Sequence, residues 1–569
     1  MRNIVCKIVT VVIFVLSANS NLVFSQTDAH ELPDRSGEVL HLFTDRDLYS
    51  VSEKIYFSVV YSLDTLIELE NWSEVLYVEL IKWNGAKISQ SKVPIKKGLS
   101  AGYLEIPENI YSGNYYLRAY TSWMRNYSPY LYKYFPVKVI NPNTDEIDLP
   151  TGGTETEISF VKNEMPENNS RLTLSGLKEV YNPRDEVEFS LSTMDKRLAG
   201  TYVITVAKSS DKKHISSEYE LSGFTIPSND KKEIEYLPEI KNITLRGSVV
   251  DNITKEAIPG RSIALSSTLN PFFFFISTSN SDGDFTFSIP AIYGSHQFCL
   301  KSLNSNEKDA EFLISNDFCN KEILLPYIPF KLNEEEKEEA KDIAINAQLY
   351  SRYASKDSPS VSKDLLQPFY GSPQEITYTK DFIELIDLKE FFFEIMPEVI
   401  VETKSNASSL KFKAINMLSI FPPLILIDNI PVQNDNTVLS IPSKNIDRIE
   451  LINGGYIVNE TVFSGIINIY SKNNNLGGME LNGDERFFTY QLFTDFDTDM
   501  TLIESTPDKR SAGIRNLLYF HPGIELTDNQ PSTIRFNTGD AKGSYTVTVR
   551  GIDTKGSQTI VEQTDIVVK

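Results

Sequence analysis

The side chains that most often do chemistry are sparse in this chain and poorly spaced for it. His30, His41, His214, His296 and His521 are widely separated, and none stands in His-Glu-x-x-His or another zinc spacing. Asp495, Asp497 and Asp499 alternate as calcium ligands do. An EF-hand loop, however, needs Gly at its sixth position and Glu at its twelfth, where this chain has Met500 and Thr506. In a strand the three carboxylates share one face, which is costly if buried and ordinary if solvated. A solvated face is the simpler reading and a metal site the alternative. No nucleophile elbow or phosphate-binding glycine loop is expected, so the chain reads as a non-enzyme without metal or cofactor. Only a triad assembled from distant positions escapes that reading.

Cys299 and Cys319 form an even pair. In an oxidising compartment such a pair either bridges neighbouring strands or persists as two buried thiols. Two aromatic runs, Phe272 to Phe275 and Phe391 to Phe393, are either exposed anchors for a membrane or partner, or strands buried on both faces. Contiguous aromatics cannot all face one core from a strand, and the doubly buried strand is preferred.

The compartment follows from residues 1–25. Arg2 and Lys7 precede the uncharged run Ile8 to Ala18, and a polar stretch ends at Val23, Phe24 and Ser25, the pattern of a secretory signal peptide. The run is too short for the roughly 20 residues that span a bilayer, and the mature chain shows no other such stretch, so no transmembrane segment is expected in it. Cys6 lies before the apolar run, where a lipoprotein signal would not place its cysteine. A net charge of −22, from 55 basic and 77 acidic residues, repels phosphate backbones, so no nucleic-acid partner is expected.

At 569 residues the chain exceeds a single core, and at about 100 to 200 residues per domain it should hold roughly four units. Strand-like alternation dominates, as in Ile55, Phe57, Val59 and Tyr61. The expected architecture is mainly β and multi-domain: a sandwich over 36–142, a linker over 143–169, a second sandwich over 170–241, and a third over 242–325. A helical connector over 326–374 follows, then a small α+β domain over 375–474 and a last sandwich over 475–569. In the third unit the Asp282-Gly283 turn reads as a hairpin. In the connector, Asn333 with Glu336 reads as a capping box, Ala340, Ile343, Ala344 and Ala347 share a face, and the run Glu334 to Glu339 reads as the wet face. An ungapped internal repeat links Asp47 to Val59 with Glu179 to Leu191, matching Tyr49 to Tyr181 and Phe57-Ser58 to Phe189-Ser190.

Several stretches resemble known families. Leu42 to Tyr49 (LFTDRDLY) with Ser112 to Arg125 (SGNYYLRAYTSWMR) resembles the macroglobulin MG2 domain of exported Bacteroidota proteins. Gly247 to Asp251, Ala257 to Gly260 and Ser281 to Phe285 resemble the carboxypeptidase regulatory-like domain, a transthyretin-like sandwich without peptidase activity. Pro423 to Val432 (PLILIDNIPV), Ile446 to Ile452 (IDRIELI) and Ser464 to Lys472 (SGIINIYSK) resemble the plug domain of TonB-dependent outer-membrane receptors, with Asp428, Pro431, Glu450, Gly465 and Lys472 marking the motif. Arg515 to Pro522, Ile534 to Phe536 and Asp540 to Tyr545 resemble the macroglobulin-like domain that follows such plugs.

The resemblance implies location more than mechanism. A barrel that holds a plug needs about 22 strands of about ten residues each, whereas residues 473–569 read as a sandwich. Self-contained transport is therefore not expected. Macroglobulin inhibitors trap targets through a Cys-Gly-Glu-Gln-type thioester, which neither Cys299 nor Cys319 provides. The expected function is non-enzymatic binding or scaffolding at the outer membrane, in the periplasm or at the cell surface, with an envelope protein as partner and an outer-membrane barrel among the candidates. An accessory subunit of a separate TonB-dependent transporter and a noncovalent protease inhibitor are the rivals.

Overall fold

The computed structural model describes residues 36–64, 72–150, 157–164, 172–208, 217–224, 234–240, 242–268, 272–303, 310–353, 368–404, 407–413, 417–480, 485–494, 513–527, 530–553 and 559–569. The expected signal peptide, His30, His214, Asp495, Asp497 and Asp499 lie outside them.

Among the described residues the first eight strands are β1 (Glu38–Thr44), β2 (Leu48–Ser50), β3 (Lys54–Leu63), β4 (Val75–Ile81), β5 (Lys87–Pro94), β6 (Leu99–Glu105), β7 (Gly113–Thr121) and β8 (Lys133–Ile140). After β9 (Ser159–Glu164) come β10 (Leu172–Ser175), β11 (Val180–Tyr181), β12 (Glu186–Thr193), β13 (Gly200–Ala207) and β14 (Ser217–Ser222). A third group comprises β15 (Ile243–Asp251), β16 (Ser262–Ser267), β17 (Phe274–Thr278), β18 (Asp284–Ile289), β19 (Ser295–Ser302) and β20 (Ala310–Ile314), followed by helix α1 (Glu334–Tyr353).

The α+β region holds β21 (Glu375–Tyr378), α2 (Leu388–Ile395), β22 (Val399–Lys404), β23 (Ala407–Phe412), β24 (Leu424–Ile427) and β25 (Ile430–Pro431). It continues through α3 (Asp435–Leu439), β26 (Ile446–Ile452), β27 (Tyr456–Val458), β28 (Thr461–Phe463) and β29 (Ile466–Ser471). The chain closes with β30 (Glu485–Gln491), β31 (Leu517–Leu526), β32 (Ser532–Asn537), β33 (Gly543–Asp553) and β34 (Thr559–Val568). The protein is mainly β and multi-domain.

The first sandwich packs sheet β1-β3-β6 against sheet β2-β8-β7-β4-β5. Its period-two pattern buries Ile55, Phe57 and Val59 completely on one side of β3. The second and the last sandwich expected from sequence are a single sandwich, built from sheets β10-β12-β32 and β11-β34-β33-β13-β31. Neither segment carries enough strands to cover its own apolar faces. Phe189, Tyr202 and Ile204 are buried by Ile534, Phe536, Val547 and Val549 from the other end of the chain.

The two sandwiches correspond strand for strand, and the repeat read from sequence is conformational. Ser52 and Arg184 occupy matched positions and both take positive φ, 67° and 64°. The Glu53 carboxylate accepts from Ser50 N at 2.7 Å, and Asp185 accepts from Asn182 N at 2.8 Å. Tyr49 and Tyr181 each accept, through the hydroxyl, the backbone N–H three residues upstream, at 3.0 and 2.8 Å. Both short strands carrying these tyrosines run parallel to the last strand of their sandwich. In the first sandwich β4 and β5 are joined by a tight hairpin. In the second, the equivalent β13 and β31 are separated by residues 208–516, so most of the middle of the chain is an insertion into one hairpin loop.

The insertion begins with β14, which pairs with β9 and lies on the first sandwich, Tyr219 meeting Phe135 edge-on. The expected linker therefore contains a strand, and the expected second sandwich ends before β14. The third sandwich packs sheet β18-β15-β20 with sheet β17-β16-β19-β30. Here β30, expected in the last sandwich, extends β19 instead, and the Lys301–Glu485 ion pair is buried between them at 2.5 Å. Asp282-Gly283 does form a turn, with Gly283 at φ 78°. It carries the chain from one sheet to the other rather than making a hairpin, because β17 and β18 belong to different sheets.

Helix α1 starts with the expected capping box, Asn333 N donating to Glu336 at 2.9 Å and Glu336 N to Asn333 Oδ1 at 2.8 Å. Ala340, Ile343 and Ala344 pack on Leu48 and Ile140. The acidic run is not uniformly wet: Glu336 is buried against Lys138, and Glu339 is half-buried near Asp47.

Candidate functional site

The α+β domain has a mixed sheet ordered β21-β26-β29-β24-β25, with β24 and β29 parallel at its centre. The apolar runs Leu424 to Ile427 and Ile466 to Ile469 form these strands because both faces are covered. Ile425, Ile427, Ile467 and Ile469 pack against α2 and α3 residues such as Phe392 and Val438. Leu424, Leu426 and Ile466 pack on Phe274 and Ile276 of β17. Of the run Phe272 to Phe275 only Phe274 and Phe275 lie in a strand: Phe274 is buried toward the α+β domain, while Phe273, just before the strand, and Phe275 are half-buried against the sandwich core.

The motif residues are scaffold elements of this sheet. Asp428, at φ 48°, accepts from Ser471 N at 2.8 Å, Ser471 Oγ at 2.6 Å and Leu476 N at 2.9 Å, tying the β24–β25 turn to the end of β29. Pro431 lies in β25 opposite Leu426. Glu450 accepts from Tyr370 Oη at 2.6 Å and Arg448 Nε at 2.8 Å. Burial and that carboxylate push the Tyr370 hydroxyl's pKa upward. Gly465 sits where a Cβ would come within 2.3 Å of the Ile452 carbonyl and 2.5 Å of the Phe412 ring. Lys472 contributes its backbone N–H, to Asn445 O at 2.9 Å. The structure gathers the first four around one sheet but forms no reactive centre from them.

The two cysteines are buried and unbridged. Cys299 lies in β19 opposite Phe487, its thiol on the Leu300 carbonyl, whereas Cys319 receives the Tyr132 hydroxyl at 3.6 Å beneath the first sandwich. No disulfide therefore joins them in this structure, Cys299 lying within β19 and Cys319 in the irregular chain that follows β20. One Gly-x-Ser-x-Gly spacing does occur, Gly98 to Gly102. Its Ser100 is completely buried within β6 opposite Val59, not on the exposed strand-to-helix turn that makes an elbow. Among the described residues no cluster of His, Cys, Asp or Glu is arranged to hold a metal.

A surface site appears where the sequence pointed ambiguously. Phe391 to Phe393 lie in helix α2, not in a strand, so successive rings turn by about 100°. Phe391 and Phe392 enter the core, and Phe393 is 75% exposed. The signal that announces this helix is Asp387 with Glu390: Glu390 N donates to Asp387 Oδ1 at 2.9 Å, and Ile386 N donates to the Glu390 carboxylate at 2.9 Å. Ile386, 81% exposed, shares a groove with Phe393, and Ile383 earlier in the same loop is 80% exposed. That groove, of about 450 Å³, is lined by Ile386, Asp387, Lys389, Glu390, Phe393, Val401 and Thr403. On the hairpin behind it, Lys404 and Lys411 hold the Glu402 carboxyl at about 2 through hydrogen bonds.

No family model and no curated protein matches the chain. Among solved structures it is similar to Salmonella alpha-2-macroglobulin reacted with methylamine, at 10% identity and a TM-score of 0.23 over 96% of this chain and 40% of that one. The native conformation of E. coli alpha-2-macroglobulin matches at 9% identity and 0.23, again over 96% and 40%. Dimeric latent PorU from Porphyromonas gingivalis matches at 8% identity and 0.16, over 51% of this chain and 34% of that one. The chain spans about 40% of the length of the macroglobulins it matches. At these TM-scores no family is assigned.

Proposed function

We propose that the protein is a non-enzymatic binding and scaffolding component of a bacterial envelope, acting at the outer membrane through protein contacts, with the plug-like α+β domain as the element it presents. The observation that carries this reading is the asymmetry of that domain. One face of its sheet is locked onto β17 of the third sandwich through Leu424, Leu426, Phe274 and Ile276, while the opposite side leaves Ile386 and Phe393 in solvent along one groove. A soluble surface rarely keeps such adjacent large apolar side chains without a partner to bury them.

The sandwiches supply the rigid mount. Several buried charges within them are closed into structural pairs, such as Arg118 with Glu79 at 2.6 Å and Lys92 with Asp317 at 2.5 Å. Breaking one such pair costs about 3–5 kcal/mol, so they suit a frame rather than a reaction.

Crosslinking in cells followed by identification of attached proteins tests the reading, comparing the full chain with a chain lacking residues 375–474. The deletion should abolish a defined set of envelope partners while the sandwiches remain folded. An unchanged set of partners would sink it.

A further inference from the structure

Resting on the reading of the α+β domain as the contact element, the hydrogen-bond pattern of the β22–β23 hairpin says what kind of segment the groove would hold. Val401 stands opposite Leu410 and Thr403 opposite Ser408. Ser408 N donates to the Asn436 side chain at 2.8 Å and Leu410 N to the Asp435 carboxylate at 2.7 Å. Both N–H groups therefore point away from β22, toward α3. In an antiparallel pair the two opposed residues either exchange both bonds or direct both sets outward. The N–H and C=O of Val401 and Thr403 consequently point outward from the free side of β22. Among the described residues they meet no partner.

The hairpin thus has one closed edge and one open edge. The β23 edge is capped by Asp435 and Asn436, the device by which proteins prevent strand addition. The β22 edge is uncapped and lies along the groove lined by Ile386, Phe393, Val401 and Thr403. The rim carboxylates are already engaged, Asp387 and Glu390 in helix capping and Glu402 with Lys404 and Lys411. Lys389, exposed on the same rim, makes no ion pair among the described residues.

We propose that this groove accepts an extended segment of a partner protein as an added strand beside β22, with a large apolar side chain seated against Ile386 and Phe393 and an acidic residue at Lys389. Main-chain bonds to Val401 and Thr403 supply register-independent affinity, and the apolar seat fixes which residue faces inward. An extended peptide matches the site better than a helix does, because a helix has no free backbone groups along its side to satisfy the open edge.

The test uses the full mature chain and a synthetic seven-residue peptide of alternating valine and threonine with a central phenylalanine and a flanking glutamate. Titration should slow hydrogen exchange across residues 399–404. A peptide N-methylated at the amides facing β22 should bind about tenfold more weakly or worse. Thr403→Pro should lose a similar factor, since it removes an outward N–H and no main-chain bond to β23, with Thr403→Val as the control that removes only the hydroxyl contact with Ser408; Phe393→Ser should weaken binding while leaving the hairpin intact. Equal binding of the N-methylated peptide, or unchanged exchange at 399–404, overturns the proposal. Protection that grows with protein concentration without peptide assigns the groove to a second copy and also overturns it. If Thr403→Pro keeps every partner that deletion of 375–474 removes, the groove falls and the scaffold reading stands. If the deletion itself removes none, the scaffold reading falls.

Discussion

Lys208 and Asn516 are joined by a backbone hydrogen bond, Lys208 N donating to Asn516 O at 2.9 Å, although most of the middle of the chain lies between them. The bond closes the base of the insertion, so the second sandwich meets itself there as if the hairpin were short. Asn516 also donates to Glu53 and to the Ile343 carbonyl, both at close to 3 Å, tying the same point to the first sandwich and to α1.

That closure predicts that the insertion can be removed. A chain running from residue 36 to Lys208, joined by an Asn-Gly turn to Asn516 and on to Lys569, should fold, because hairpin loops whose ends already meet tolerate such exchange. Limited proteolysis should leave β31 to β34 protected. Rapid digestion of residues 517–569 would show that the second sandwich depends on the insert.

His521 lies in β31 opposite Ile204, where burial lowers its pKa to about 4. Between about 6.5 and 4 the unfolded chain binds a proton there that the folded chain does not, so stability falls as pH drops through that window and levels off below it. The loss at this one site is of order 3 kcal/mol. His521→Phe should remove that part of the slope in urea titrations at pH 7 and pH 4.5, and an unaltered slope would contradict the burial.

Glu339 works in the opposite sense. Burial, with Asp47 nearby, raises its pKa to about 7. The folded state therefore holds its proton between about 4.5 and 7 where the unfolded state has released it, and stability at this site declines as pH rises through that range. Glu339→Gln should raise the melting temperature at pH 8 and leave it unchanged at pH 4. Solvent screening at this half-buried position holds the gain to about 1–2 kcal/mol.

Gly465→Ala places a methyl group against the Ile452 carbonyl and the Phe412 ring, and overpacking of this kind costs about 1–3 kcal/mol. Asp428→Ala removes three hydrogen bonds to a buried carboxylate, a loss of about 3 kcal/mol. Both should lower the unfolding midpoint of the α+β domain while near-full protection of the second sandwich persists in hydrogen exchange. Equal loosening of both regions would contradict their separate cores.

Alkylation with iodoacetamide followed by mass spectrometry should label both Cys299 and Cys319 after denaturation without reductant, and neither quickly in the native protein, since both thiols are buried. A labelled pair only after reduction would restore the bridge.

Much of the architecture was legible because it is written locally. Alternation in Ile55, Phe57 and Val59 marks a strand with one buried face, Asn333 with Glu336 marks a helix start, and the repeat of Asp47 to Val59 at Glu179 to Leu191 identifies two copies of one sandwich. Periodicity states that a face must be buried but not against what. Only the tertiary structure decided that Phe189 is covered by Phe536, that β30 joins β19, and that the two expected sandwiches are one. These pairings join residues hundreds of positions apart, and no local propensity distinguishes one β edge from another. The candidate groove was illegible for the same reason. The Phe391 to Phe393 run shows in the sequence, but the exposure of Phe393 depends on α2, and the open edge at Val401 and Thr403 depends on Asp435 and Asn436 capping the other side of the hairpin.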